Sequence, residues 1–148
     1  MKSNKILYTN YQPAKNMLGE QIAELRGKIV SQRVLDIEGS TMETSVSIEG
    51  TFNGTQVKQH LTYVAKPVSA GVLHGKAKGI TIGGETEMVV STHEGIGRAT
   101  PSGVRWRGTG LFSTSSTGKL AFLNNLVGLF ETEVDTEGNF TEKIWEWK

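Results

Sequence analysis

The fold is decided by residues 72–112, which read VLHGKAKGITIGGETEMVVSTHEGIGRATPSGVRWRGTGLF. Three segments rich in β-branched and alternating residues are separated there by two turn signals, Gly83-Gly84 and Pro101-Ser102-Gly103. Alternation with a period of two is typical of β-strands, and short turns that contain Gly or Pro join antiparallel neighbours. This stretch therefore predicts three consecutive strands connected by two hairpins.

The same pattern of strand and turn extends over most of the chain. Glycine accounts for 18 of the 148 residues, and further turn signals occur at Glu38-Gly39-Ser40, Asn53-Gly54, Ser69-Ala70-Gly71 and Thr136-Glu137-Gly138. No helical pattern longer than two turns separates the segments, so no βαβ crossover is available and the sheet must be antiparallel. We predict eight strands, at about 21–37, 41–52, 55–66, 72–82, 85–99, 104–114, 126–135 and 139–147.

Length, charge and cysteine content limit the classes of protein. The 148 residues suffice for one core, so we expect one domain at residues 21–148 preceded by an N-terminal arm at residues 1–20. A formal net charge of +1 argues against a nucleic-acid partner and against an acidic membrane surface. The absence of cysteine excludes thiolate nucleophiles and zinc–cysteine sites. Since we find no signal-peptide core and no membrane span, we expect a cytoplasmic protein.

A meander of eight strands with one apolar face and no covering helix must bury that face against itself. Closing the sheet into a barrel achieves this and also removes the unpaired sheet edges. A two-sheet β-sandwich is the alternative, but most sandwiches need Greek-key connections rather than successive hairpins. The sequence therefore predicts an all-β, single-domain, eight-stranded antiparallel barrel.

The length of each hairpin loop predicts which side chains enter the barrel. A two-residue loop at Gly83-Gly84 places Ile82 opposite Glu85, and a three-residue loop at 101–103 places Thr100 opposite Val104. The Asn53-Gly54 turn and the final hairpin are treated in the same way, whereas the register of the first hairpin stays open. The residues predicted to face inward include Gln59, Tyr63, Met88, Val90, Glu94, Arg98, Trp106, Phe112, Phe130, Val134, Phe140 and Ile144.

A candidate site follows from these registers. Glu94 and Arg98 would share the inner face of one strand, with Trp106 across from Arg98 and available for a cation–π contact. The pair would orient a carboxylate or carbonyl ligand, and Glu94 or Tyr63 would move a proton in an enzyme. An ordinary ion pair at the barrel mouth is the alternative, as is a hydrogen-bonded core for Tyr63 and Gln59. The predicted ligand-binding set is Gln59, Tyr63, Met88, Glu94, Arg98, Trp106 and Phe112.

The histidines do not predict a metal site. His74 and His93 would lie opposite each other on the lysine-bearing outer face, where two imidazoles form an incomplete set of ligands. The third histidine, His60, belongs to another hairpin. We therefore expect a solvated or interface pair, with no metal and no cofactor.

Two segments stand out from the hairpin rhythm. Residues 113–125 contain Leu120, Phe122 and Leu123, which are too apolar for a free loop, so the segment is a candidate plug or lid for one end of the barrel. In the last hairpin, an outward apolar patch is predicted, and such patches usually mark an interface. We expect a homo-oligomer through this patch, with an N-terminal arm folded over it as the alternative. The patch consists of Val127, Leu129, Trp145 and Trp147.

The run GKLAFLNN at residues 118–125, with the ending WEW at residues 145–147, resembles small uncharacterised microbial proteins placed near the allene oxide cyclase and dirigent type of calycin-like barrel. This resemblance implies a barrel that binds hydrophobic or phenolic small molecules, in some cases steering a cyclisation without a cofactor. No catalytic residue of that family aligns with this chain, and the Gly-x-Trp signature of lipocalins is absent.

Three functions are consistent with these features. The first is the binding of a small apolar or amphipathic molecule in the barrel interior. The second is a cofactor-independent isomerase or cyclase that acts on a small hydrophobic substrate in the same pocket. The third is a non-catalytic, oligomeric structural protein whose core is filled.

Overall fold

The computed structural model describes residues 18–84 and 86–148, which form a closed barrel of eight antiparallel strands. Each strand pairs with the next, and the last pairs with the first, so the predicted barrel is confirmed. Among the described residues no helix has the length and apolar character needed to cross a bilayer. The strands are β1 (Leu18–Asp36), β2 (Thr41–Phe52), β3 (Thr55–Ser69), β4 (Val72–Gly83), β5 (Glu87–Thr100), β6 (Gly103–Ser113), β7 (Leu126–Asp135) and β8 (Asn139–Trp147).

The β2–β3 and β7–β8 hairpins have the predicted registers. Asn53 and Gly54 both adopt positive φ angles, 45° and 80°, as a tight two-residue hairpin turn requires. Thr44 therefore lies opposite Tyr63. In the last hairpin Val134 lies opposite Phe140. These two registers place Gln59, Tyr63, Phe130 and Phe140 on the inner face, as predicted.

The first hairpin and the N-terminus differ in detail from the predicted boundaries. β1 begins at Leu18, three residues earlier than expected, and Leu18 pairs with Trp147 of β8. The sequence did not decide the register between β1 and β2. In the structure Ile29 lies opposite Val46, and a bulge occurs between Ile29 and Ser31. The rest of the predicted N-terminal arm, residues 1–17, lies outside the described residues.

The predicted orientation of β5 is wrong. Gly83 lies opposite Glu87, and Thr100 lies opposite Gly103, so both flanking registers differ from the predicted ones by an odd number of residues. Because side chains alternate between the two faces, each such shift reverses a face. The two reversals cancel for β4 and β6, and only β5 is turned around. The residues Met88, Val90, Glu94 and Arg98 consequently face outward, while Val89, Ser91, His93, Gly95 and Gly97 face inward.

One end of the barrel is filled by the segment between β6 and β7. Its short 3-10 turn, Ala121–Leu123, brings Leu120 and Leu123 into the core, where neither has any exposed surface. A Cβ atom at Gly83 would lie 2.7 Å from Leu120 Cδ1, so the glycine makes room for the leucine. Glu87 accepts a hydrogen bond from the Leu120 backbone N–H at 3.0 Å. The segment therefore forms a plug at this end of the barrel, which is one of the two roles predicted for it.

Candidate functional site

The interior beyond this plug is polar as well as apolar. A cavity of about 40 Å³ lies there, and its walls come from most of the strands because inward side chains of different strands converge in a narrow barrel. The volume is sufficient for one or two water molecules and no more. Side chains that line it include Leu61, Tyr63, His93, Trp106, Phe130, Thr132, Phe140 and Glu142.

Glu142 is the buried acid of this cavity. It lies on the inner face of β8 between two core positions, Phe140 and Ile144, and its carboxylate accepts a 2.7 Å hydrogen bond from Thr132 Oγ1. Burial raises the pKa of Glu142 to about 7, although the bond from Thr132 acts in the opposite direction. No ion pair involving Glu142 occurs within residues 18–84 and 86–148. The carboxyl group is thus poised to gain or lose a proton near neutral pH.

His93 is the buried base of the same cavity. Its Nε2 atom lies 2.9 Å from Ser91 Oγ, and its ring makes edge contacts with Phe112 and Phe130 at centroid distances of 5.6 and 5.8 Å. Burial lowers the pKa of His93 to about 4. The imidazole is therefore neutral at physiological pH. Gly110 permits this packing, since a Cβ atom there would lie 2.8 Å from His93 Nδ1.

Tyr63 and Trp106 form the boundary between the cavity and the open end of the barrel. Their rings meet edge to face, with centroids 5.7 Å apart. The indole fits between two inward glycines: added Cβ atoms at Gly75 and Gly97 would come within 2.7 and 2.9 Å of it. Burial raises the pKa of Tyr63, while its hydrogen bond with Thr44 opposes the shift. The phenol is therefore a neutral hydroxyl.

The open end is a mouth of about 700 Å³ whose floor is the Tyr63–Trp106 pair. The polar groups on one wall are the uncharged side chains of Gln32 and Thr44, and Gln32 Nε2 donates a hydrogen bond to Thr44 Oγ1 at 3.2 Å. Asp135 and Glu137 line the rim, and among the described residues no Lys or Arg lines the mouth. An anionic ligand is disfavoured there. The apolar part of the wall comes from Ile29, Met42, Ala65, Leu73, Val104 and Val134.

The structure brings together only part of the predicted site. Tyr63 and Trp106 line both mouth and cavity, as their predicted inward placement requires. Gln59 and Phe112 also face inward but belong to the packed core: Gln59 Nε2 donates to Thr81 Oγ1 at 2.8 Å. For Gln59 this arrangement agrees with the alternative of a hydrogen-bonded core amide.

The predicted constellation of Glu94, Arg98 and Trp106 does not form. Glu94 and Arg98 lie on the outer face of β5, as does Met88, because of the reversed orientation of this strand. The Glu94 carboxylate instead pairs with His74 Nε2 at 2.7 Å on the outside of the barrel. The predicted opposition of His74 and His93 is wrong for the same reason, since the two imidazoles lie on opposite faces.

Two important residues of the cavity were not identified from the sequence. Glu142 could have been identified from the sequence, because the correctly predicted register of the last hairpin places it on the inner face, opposite Thr132 and between Phe140 and Ile144. His93 had none, because the two misplaced loops assigned it to the outer face. The proximity of these groups across the barrel depends on strand stagger, which hairpin pairing does not specify.

Comparison with known proteins adds information on the fold. No protein-family model and no curated protein matches the chain. A protein of unknown function from Clostridium acetobutylicum is similar in structure, with a TM-score of 0.72 and 14% identity over 87% of this chain and 98% of that one. A conserved protein of unknown function from Rhodopseudomonas palustris gives 0.71 and 10% over 87% and 97%. What this chain shares with both proteins is the barrel fold.

Proposed function

We propose that the barrel binds a small, neutral, amphipathic molecule in its open mouth, against the Tyr63–Trp106 pair. The observation that carries this proposal is the asymmetry of the two ends. Leu120 and Leu123 fill one end, whereas the other opens onto a concave, largely apolar pocket with an aromatic floor. Concave apolar pockets with a few convergent polar groups are the usual form of small-molecule sites.

The groups around the mouth indicate the chemistry of the ligand. Its apolar body would contact the aliphatic walls and the Trp106 indole, and a hydroxyl or carbonyl group would reach the hydrogen-bonding groups of Gln32, Thr44 and Tyr63. The carboxylates at the rim argue for a ligand without negative charge. The resemblance to calycin-like barrels of the allene oxide cyclase and dirigent type supports the same ligand class, and we include that relationship in the proposal.

A fluorescence titration with N-phenyl-1-naphthylamine, a neutral apolar probe, tests the proposal. Ala65 lines the mouth, whereas its neighbour Val64 faces outward on the same strand. We expect Ala65→Phe to fill the mouth and weaken probe binding by about tenfold or more, and Val64→Phe to leave it within about twofold. Equal affinities for the two variants, or no binding to the wild-type protein, would contradict binding in the mouth.

A second candidate function, proton transfer in a cofactor-independent isomerase or cyclase, is favoured by the groups beneath the mouth. A carboxyl with a pKa near 7 and a neutral imidazole line the cavity directly behind Tyr63 and Trp106. Since the cavity admits only water and the substrate would lie in the mouth, a water molecule in the cavity would carry the proton. Through this water Glu142 would take up a proton from one carbon of a small hydrophobic substrate and return it to another carbon, so that no co-reactant is consumed. Glu142 thereby takes the role that the sequence assigned to Glu94.

Deuterium exchange into cyclohexanone, followed by mass spectrometry, separates this candidate from simple binding. An enzyme of this kind would accelerate exchange at the carbons next to the carbonyl above the rate in buffer. We expect Glu142→Gln to lose about 100-fold of that acceleration, and Glu24→Gln, on the outer face of β1, to retain it. Exchange at the buffer rate with the wild-type protein would reject the enzyme. Failure of this test together with the binding test would favour the structural protein with a filled core.

A further inference from the structure

We infer that the outer wall of β4–β6 near the plugged end, called here the outer apolar face, is an interface with a second copy of this chain. Ile80 lies directly opposite Val90, and Ile82 opposite Met88, while Leu111 follows on the next strand. These side chains expose between 44% and 57% of their surface. The outer apolar face consists of Ile80, Ile82, Met88, Val90 and Leu111.

The rest of the same wall has a different character. Toward the open end, most outward positions carry charged side chains, with Ile96, 38% exposed, as an exception. Outward positions of an antiparallel sheet in contact with water are normally polar. Five large apolar side chains gathered at one end of the wall are therefore not explained by exposure to water. The ion pairs are Arg105–Glu133 at 3.2 Å and Arg107–Glu131 at 3.2 Å, and His74 Nε2 lies within hydrogen-bond distance of Glu94 Oε2, at 2.7 Å.

The outer apolar face is continuous with the patch predicted from the last hairpin. Leu111 lies opposite Val127, and on the following strands Leu129 lies opposite Trp145. Together they form an apolar band that extends from β4 to β8 around the plugged end. The sequence indicated only the β7–β8 part of this band, because the predicted register placed Met88 and Val90 inside the barrel.

A second copy fits this face for two reasons. A closed barrel has no free strand edge, so association has to occur through side chains on its wall. Across a two-fold axis each face meets itself, and its five apolar side chains carry no like charges that would repel each other. Lys78 and His60 are the basic groups at the groove along this face. Five half-exposed side chains and the adjoining band supply several hundred Å², approaching the ~800 Å² per partner of stable complexes.

Sedimentation velocity of the full chain over a hundredfold range of concentration tests the interface. We expect the wild-type protein to sediment as a dimer of the 16.1 kDa chain and Leu111→Glu to sediment as a monomer with an unchanged circular dichroism spectrum. Ser47→Glu, on the outer face of β2, is the matched control and should remain dimeric. A wild-type monomer at every concentration overturns the inference, and so does a folded Leu111→Glu dimer.

The absence of cysteine from the chain allows a second measurement that does not depend on the Glu variant. With a bismaleimide crosslinker, Val90→Cys should yield a covalent dimer, whereas Ser47→Cys should not. Equal crosslinking of the two variants would overturn the interface. A wild-type monomer that binds neutral lipid vesicles, with binding lost in Leu111→Glu, would assign the face to a membrane surface instead.

Discussion

Glu142 occupies an inward position of β8 that an aliphatic side chain would fill without electrostatic cost. Its carboxyl group has its pKa raised to about 7 by burial, so the folded protein holds a proton that the unfolded chain releases near pH 4.5. His93 behaves in the opposite way, because burial lowers its pKa to about 4. As the pH rises from about 4.5 to about 6.5, the stabilisation linked to protonated Glu142 is lost, whereas the cost of keeping His93 neutral in the folded protein disappears. The two effects on the free energy of unfolding therefore partly compensate.

Replacement of Glu142 by glutamine separates its contribution to the pH dependence of stability from that of His93. The stabilisation associated with its raised pKa is complete below about pH 4.5 and is lost as the pH rises to about 7. Glu142→Gln should therefore gain stability relative to the wild-type protein over that range, by about 3 kcal/mol in total. Urea unfolding at pH 5 and pH 8 measures the difference, with Glu24→Gln as the control on the outer wall. A difference that is the same at both pH values would show that Glu142 stays ionised in the folded state.

Among the structural elements, the segment between β6 and β7 determines which end of the barrel is closed. Leu120 enters the core beside Gly83, and Glu87 holds the Leu120 backbone through a hydrogen bond. The segment thus contributes packing at one end without contacting the mouth. Binding and closure consequently belong to separate parts of the barrel.

Truncation of the plug should affect stability and leave binding intact. Leu120→Ala removes a side chain with no exposed surface, and such changes cost about 2–5 kcal/mol. Leu35→Ala, at a position that is 45% exposed, should cost less than about 1 kcal/mol. Chemical denaturation measures both losses. At temperatures where the variants are folded, the affinity for N-phenyl-1-naphthylamine should be unchanged, and a weaker affinity for Leu120→Ala would place the binding site at the plugged end.

The turns explain how far the sequence could predict these elements. Asn53-Gly54 favours a two-residue turn with two positive φ angles, so only one register fits, and Tyr63 was correctly placed. The residues after Gly83-Gly84 allow more than one loop length, because Gly84 and the polar residues that follow can all lie in a turn. A register change there decides the face of every residue in β5.

The site was predictable only in part for the same physical reason. Trp106 was placed correctly because the two errors around β5 cancel at β6, and Glu142 was within reach of the correct β7–β8 register. Glu94 and Arg98 were misplaced together, since both belong to the reversed strand. The length of a hairpin loop determines which face of the sheet a side chain occupies. The proximity of Tyr63, His93 and Glu142 in one cavity depends instead on how the whole sheet closes.

At the scale of the whole molecule, the barrel is closed by one ladder that joins strands far apart in the sequence. Seven ladders join strands that are consecutive in the sequence, and the eighth joins β1 to β8. In that ladder Ala23 lies opposite Ile144, and Gly27 opposite Phe140. The two described ends of the chain therefore lie side by side at the plugged end.

This last ladder has a consequence for folding kinetics. Hairpins close short loops, whereas β1 and β8 must meet across more than a hundred residues, so their pairing should follow the transition state. Ile144→Val, at the β1–β8 ladder, should then mainly accelerate unfolding, while Ile48→Val, in the β2–β3 hairpin, should mainly slow folding. Stopped-flow chevron plots of the two variants measure this, and a slower folding rate for Ile144→Val, which also lies opposite Phe130 in the β7–β8 hairpin, would contradict this order. The lifetime of the folded barrel would then be set by how often its first and last strands separate.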